Sequence, residues 1–271
     1  MRWRANYKRL PVKGDEAMAD YQKILYSVEA GIARVTLNRP DKRNALSAEL
    51  IGEVRAAMQS AAEDNSVRVV LLTGAGKDFC SGADLAALQQ ISQATVMDNL
   101  ADARGFAELF LEMRRHPRPI VAAVRGRALA GGCGLATACD LILAEESAQF
   151  GYPEVNIGFV AAMVMAVLRR SVSEKRAFEM LTRGDIIGAR AAQEMGLVNR
   201  VFADDEFESH VNAYVTEMTK KSAAAVTLSK LLLYHLDGMT FESALQAGVQ
   251  MNAIARQTDD CKRGIERFLK K

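Results

Sequence analysis

The chain has 271 residues, 49% hydrophobic and 25% charged, with a net charge of +2. This is ordinary globular composition, long enough to bury a core without staples and too close to neutral for a nucleic-acid footprint. No apolar run approaches the roughly 20 residues of a membrane-spanning helix, so no membrane partner is expected. Cys80, Cys133, Cys139 and Cys261 match no zinc-ligand spacing, so no metal site is expected.

Residues 1–20 carry Arg2, Arg4, Lys8, Arg9 and Lys13 but no apolar signal core. They are expected to form a disordered N-terminal extension. Residues 23–38 predict a hairpin, with Ile24, Tyr26 and Val28 alternating with polar neighbours and a turn at Glu29-Ala30-Gly31. Pro40 ends the second strand. Ser47 predicts a helix N-cap, and Leu50, Ile51, Val54 and Met58 recur at helical spacing up to about Glu63. Residues 67–73, VRVVLLT, suit a strand buried on both faces.

Residues 84–115 read as mostly helical, broken near Gln93 and stopped by His116-Pro117-Arg118-Pro119. Residues 120–124 and 141–144 predict two more buried strands, separated by a glycine-dense turn at 126–134 and a helix near 135–138. After Phe150 the pattern turns helical: about 161–170, 173–183 and 189–195, then three helices from 204 onward. Strands alternating with helices imply parallel β–α units, so the fold class is α/β. The expected organisation is a core over 21–205 and a helical C-terminal assembly region over 206–271. Leu228, Leu231, Leu232 and His235 are candidates for one stripe of that region, with Met251 and Ile254 on another.

Several catalytic motifs fail. After Gly74-Ala75-Gly76 the third glycine of a dinucleotide fingerprint would fall at Phe79, and the first glycine of a P-loop at Leu71. His116, His210 and His235 have no metal-ligating partner one helical turn away, and no G-x-S-x-G elbow occurs.

Two small-residue turns remain, each following an apolar strand: residues 79–85, FCSGADL, and residues 126–134, GRALAGGCG. Small residues let a ligand reach the backbone, and free amides at a helix start point at anionic oxygen. A converging pair of such amides suits a developing oxyanion; plain turn geometry is the alternative reading. These turns resemble the two signature segments of the crotonase (enoyl-CoA hydratase/isomerase) superfamily. Residues 38–46, NRPDKRNAL, resemble its coenzyme A segment, and residues 150–154, FGYPE, the segment with its catalytic glutamate. Residues 188–201 resemble a later helix and turn, so the similarity spans roughly 22–270.

The resemblance implies a crotonase-like ββα spiral core and an enolate chemistry. It gives the amides of Ala83 and Gly131 as an oxyanion hole and Glu154 as the acid/base. Lys42 and Arg43 would meet the coenzyme A phosphates. Backbone near Ala45, Ser81, Ala83 and Leu85 would hold adenine and pantetheine, with Gly82, Asp84, Gly132 and Pro153 completing the substrate- and coenzyme A-binding set. Coenzyme A is then part of the substrate, and no separate cofactor is expected. The resemblance also implies a homotrimer or homohexamer. The free cysteines favour a cytoplasmic setting.

Family hydratases carry a second glutamate three residues after the oxyanion glycine; here that position is Gly134. Hydration of a 2-enoyl-CoA is the expected reaction. Isomerisation of a 3-enoyl-CoA and decarboxylation need only one carboxylate or fewer and stand as alternatives, as does a non-catalytic acyl-CoA binder. Phe159, Met163, Met165 and Phe178 are candidates for the acyl pocket, with core packing the competing role. Glu145 and Glu146 are expected to face solvent.

Overall fold

The computed structural model describes residues 21–84, 89 and 93–270. The expected extension over 1–20, and with it Leu85 of the expected site, lie outside the described residues. Among the described residues, nine strands fall into two sheets. The larger is formed by β1 (Ile24–Glu29), β2 (Ile32–Leu37), β3 (Val69–Gly74), β4 (Ile120–Val124), β6 (Leu141–Glu145) and β9 (Arg200–Phe202), in that spatial order. Its β1–β2 hairpin is antiparallel and every later pairing is parallel. The smaller sheet has the order β5 (Arg127–Leu129), β7 (Gln149–Gly151), β8 (Ile186–Gly188).

Alternation along the strands builds two cores. Val70 and Leu72 of β3 point into the main cluster, with Ile120 and Ala122 of β4. Val69 and Leu71 point to the opposite face with Val121 and Ala123. Both faces are covered, which is why residues 69–72 and Ile120–Val124 are apolar at consecutive positions.

Helix α1 (Ala48–Glu63) covers the main cluster with Leu50, Val54, Ala57, Met58 and Ala61, and the Ser47 hydroxyl accepts from the Leu50 N–H at 3.3 Å. Helix α2 (Val96–Arg115) adds Phe106, Leu109, Phe110 and Met113; it starts at a Thr95–Asp98 capping box and ends before Pro117. The opposite face lies under α7 (Phe207–Thr219), through Phe207, Val211 and Val215.

Between these lie α3 (Gly131–Thr137), α4 (Ala162–Ser171), α5 (Glu174–Arg183) and α6 (Ala189–Glu194); α8 (Ala223–His235), α9 (Phe241–Gln257) and α10 (Asp259–Leu269) close the chain. Four helices, not three, therefore follow residue 204. By packing, α7 lies against the sheet through Phe207, Val211 and Val215. Leu228 and Leu232 are half-buried, whereas Leu231 and His235 are exposed, so the expected stripe divides between two faces of α8. Glu145 is buried against Arg125 instead of facing solvent, while Glu146 is exposed and pairs with Arg190. Among the described residues, no helix is long and apolar enough to cross a membrane. All four cysteines are free thiols.

Candidate active site

The first turn hangs on two single-residue bridges. Cys80 pairs with Ala128, and Ala83 pairs with Leu46. In the second bridge the Leu46 N–H donates to Gly82 O at 2.7 Å and the Asp84 N–H donates to Leu46 O at 3.0 Å. The neighbours of Ala83 thus take up Leu46, and the Ala83 N–H faces the other way, as parallel pairing requires. Arg39 locks this turn: its Nη2 donates to Asp84 Oδ2 and its Nη1 to Ala45 O, both at 2.6 Å.

The second turn is held by β5. The Leu129 N–H donates to Cys80 O at 3.0 Å and the Ala130 N–H to Gly151 O at 2.8 Å. Ala130 then takes φ +50° and ψ −129°, outside the usual regions for a residue with a side chain. This twist delivers Gly131 as the first residue of α3, where an N–H has no intrahelical acceptor. Among the described residues, nothing accepts from the N–H of Ala83 or Gly131.

The two turns touch. A Cβ on Gly82 (φ +99°) would stand 2.8 Å from Ala130 Cβ and 3.7 Å from Gly131 N, so only glycine permits this approach. Gly132 is buried and serves the same closeness: a Cβ there would overlap the Cys80 carbonyl.

Pairing of Leu129 with Gly151 brings the next segment alongside. Tyr152 is fully buried, with its hydroxyl 2.9 Å from Thr137 Oγ1 on α3. A short 3-10 turn, Pro153–Ile157, then presents Glu154. The Glu154 carboxyl is half-buried, and its Oε2 is buried with no hydrogen-bond partner. Burial raises its pKa above the ordinary carboxylate value, against a lowering contribution from its own backbone N–H. Burial also pushes Cys80 to about 12 and Cys133 to about 11, so neither thiol is a nucleophile at neutral pH.

Ala83, Gly131 and Glu154 line one cavity of about 410 Å³, together with Ser81 and Pro153. Phe159 and Met163 line it as well, but Met165 and Phe178 do not and are exposed, so they fill neither the pocket nor the core. Lys42 and Arg43 are exposed on the adjoining loop, where Arg43 O accepts from the Ser81 N–H at 3.0 Å. Ala45 is buried outside the cavity lining, and its carbonyl is taken by Arg39. Asp84 likewise serves the turn through Arg39, so its side chain acts in positioning.

Position 134 is sealed. A Cβ there would overlap Val164 Cγ1 of α4 and come within 3.4 Å of the Phe110 ring. Sequence reasoning missed Arg39, Thr137, Tyr152 and Val164, because each acts through a partner distant in the chain. Asn44 was within reach, since it sits in the 38–46 segment. Its Nδ2 donates to Ala75 O and Asp78 O at 2.9 and 2.7 Å, which fixes the loop at φ +54°.

The sequence profile of the family described as Enoyl-CoA hydratase/isomerase matches residues 27–271. A Thermus thermophilus protein, provisionally named an enoyl-CoA hydratase, is 41% identical over 91% of this chain and 98% of its own length. The 2,3-dehydroadipyl-CoA hydratase of Escherichia coli is 32% identical over 92% of this chain and 96% of its own. The crystal structure of a Mycobacterium smegmatis enoyl-CoA hydratase superposes with a TM-score of 0.88 at 33% identity, covering 92% of this chain and 96% of that one.

Proposed function

The chain belongs to the enoyl-CoA hydratase/isomerase family, and from that premise we propose that it hydrates a 2-enoyl-CoA to a 3-hydroxyacyl-CoA. The observation that carries this reading is the meeting of Ala83, Gly131 and Glu154 in one cavity. Water adds through its oxygen to C3 of the enoyl thioester, and the π electrons move to the thioester oxygen. The amides of Ala83 and Gly131 donate to that oxygen as it becomes an enolate, where one such donor is worth about 2.7–4 kcal/mol of barrier. Glu154 takes a proton from the water, and a proton returned to C2 collapses the enolate. Burial brings the Glu154 pKa closer to neutrality, where one group can both accept and return a proton.

Only protons and the water move, so no cofactor is required. Lys42 and Arg43 supply charge for the coenzyme A phosphates from their exposed loop. The apolar residues left exposed on α9 and α10 support a homotrimer or a dimer of trimers.

A second reading has its own support. With Val164 filling the space beside Gly134, Glu154 has no neighbouring carboxylate from that position. A single carboxylate suffices to take a proton from C2 of a 3-enoyl-CoA and return it to C4, giving the 2-enoyl isomer. Absorbance of the conjugated enoyl thioester separates the two: hydration of a 2-enoyl-CoA removes the chromophore, and isomerisation of a 3-enoyl-CoA creates it. Glu154→Gln should lower kcat in the productive assay by about 10²-fold or more, while calorimetry still detects acyl-CoA binding. Turnover unchanged by that substitution would remove Glu154 from the mechanism.

A further inference from the structure

The cavity that holds Glu154 is apolar along most of its wall, with Phe106, Ile157, Phe159 and Val160 among its lining. Among the described residues, only two lining side chains carry charge, Glu154 and Asp102, both carboxylates, and no lysine or arginine lines it. Asp102 lies on α2, four residues before Phe106. The Phe106 ring reaches within 3.6 Å of where a Cβ on Gly131 would stand. Four residues of helix span about 6 Å, so the Asp102 backbone sits about one turn along α2 from that of Phe106, whose ring meets the oxyanion end of the cavity. An extended acyl chain covers that distance in about five zigzag bonds of about 1.5 Å each. Asp102 lines the cavity, is exposed and, among the described residues, makes no hydrogen bond or ion pair. A six-carbon acyl chain is long enough to reach the level of Asp102 along α2.

We propose that Asp102 is a specificity-determining residue, which admits acyl thioesters with uncharged tails and rejects those whose tail ends in a carboxylate. The proposal rests on the acyl-CoA reading given above and adds the class of substrate to it. A chain-terminal carboxylate entering this cavity meets a like charge at Asp102 and, among the described lining residues, finds no cation to pair with. An alkyl tail of the same length meets no charge repulsion and a mostly apolar wall. Discrimination by an unpaired like charge acts against the wrong ligand without improving the right one.

The test compares hexanoyl-CoA with adipoyl-CoA, which differ only in a methyl or carboxylate at C6, by calorimetric titration of the intact protein. These saturated thioesters report binding whatever reaction follows. Wild type should bind hexanoyl-CoA more tightly by about tenfold or more. Asp102→Asn, which keeps the shape and removes the charge, should narrow that ratio, and Asp102→Lys should reverse it. Equal binding of the two thioesters by wild type, or a ratio that neither substitution moves, overturns the role of Asp102 and leaves the acyl-CoA reading standing. Failure to bind either thioester overturns both together.

Discussion

Glu154 is both a chemical group and a stability cost, and the two follow from one cause. Its Oε2 is buried without a partner, and burial raises its pKa above the ordinary value of 4.5. The folded protein therefore keeps this proton at pH values where the unfolded chain has released it. Folding binds protons in that window, so stability falls as pH rises from about 4.5 through the higher native value, and the cost is complete above it. Glu154→Gln removes the ionisation. The variant should melt at a higher temperature than wild type at pH 7 to 8, and its advantage should shrink as pH falls from the raised native value towards about 4.5 and vanish below it. Scanning calorimetry at several pH values checks this, and an equal melting temperature across the range would contradict a buried, unpaired carboxylate. At this scale the motifs made Glu154, Ala83 and Gly131 legible, because each belongs to a short segment with a recognisable pattern. The Arg39–Asp84 pair and the Tyr152–Thr137 hydrogen bond were not legible. Their partners are 45 and 15 residues apart, and nothing local in either segment selects the other.

Short elements decide how those residues meet. β5, β7 and β8 have three residues each, too few to show the alternation from which strands are read. They went unread, yet the β5–β7 pairing is what carries the Glu154 turn to the Gly131 turn. The longer elements were legible from periodicity and caps: α1 starts where Ser47 predicts, and β4 matches its predicted bounds. Packing between α3 and α4 was hidden as well. Gly134 reads as a missing side chain, but the space is filled from Val164. Gly134→Ala should therefore cost about 1–3 kcal/mol through overpacking. Val164→Ala, which opens a small void, should also destabilise alone. Combined, the two should be less harmful than their sum, with a coupling of about 0.5 kcal/mol or more. Urea unfolding of the four proteins completes the cycle, and strict additivity would mean that α3 and α4 do not share this space.

At the scale of the molecule, the last three helices attach to the core by polar contacts. Lys230 is buried, with its Nζ donating to Asp140 Oδ2 at 2.7 Å, Met113 O at 3.0 Å and Arg118 O at 3.1 Å. The Tyr234 hydroxyl donates to Asp140 Oδ1 at 2.6 Å, and Arg114 and Arg170 share Asp237. No residue of α8, α9 or α10 joins either apolar cluster. Such an attachment specifies a docking geometry but contributes little hydrophobic stabilisation, since a buried ion pair barely recovers its desolvation cost. The apolar side chains of this unit point elsewhere. Phe241, Leu245 and Val249 recur every four residues on α9 and are 74%, 56% and 64% exposed, and Ile265 and Phe268 are exposed on α10. Spacing of four places the α9 residues on one face, and a stripe of this kind is rarely left in water. The proposed trimer would cover it. Light scattering on the wild type should then give the mass of three or six chains. Replacing Leu245 and Val249 together by Glu should shift that mass toward one chain and lower the melting temperature in a concentration-dependent way. A wild type that runs as one chain, or a doubly charged stripe that leaves the assembly intact, would place the contact between copies on some other face.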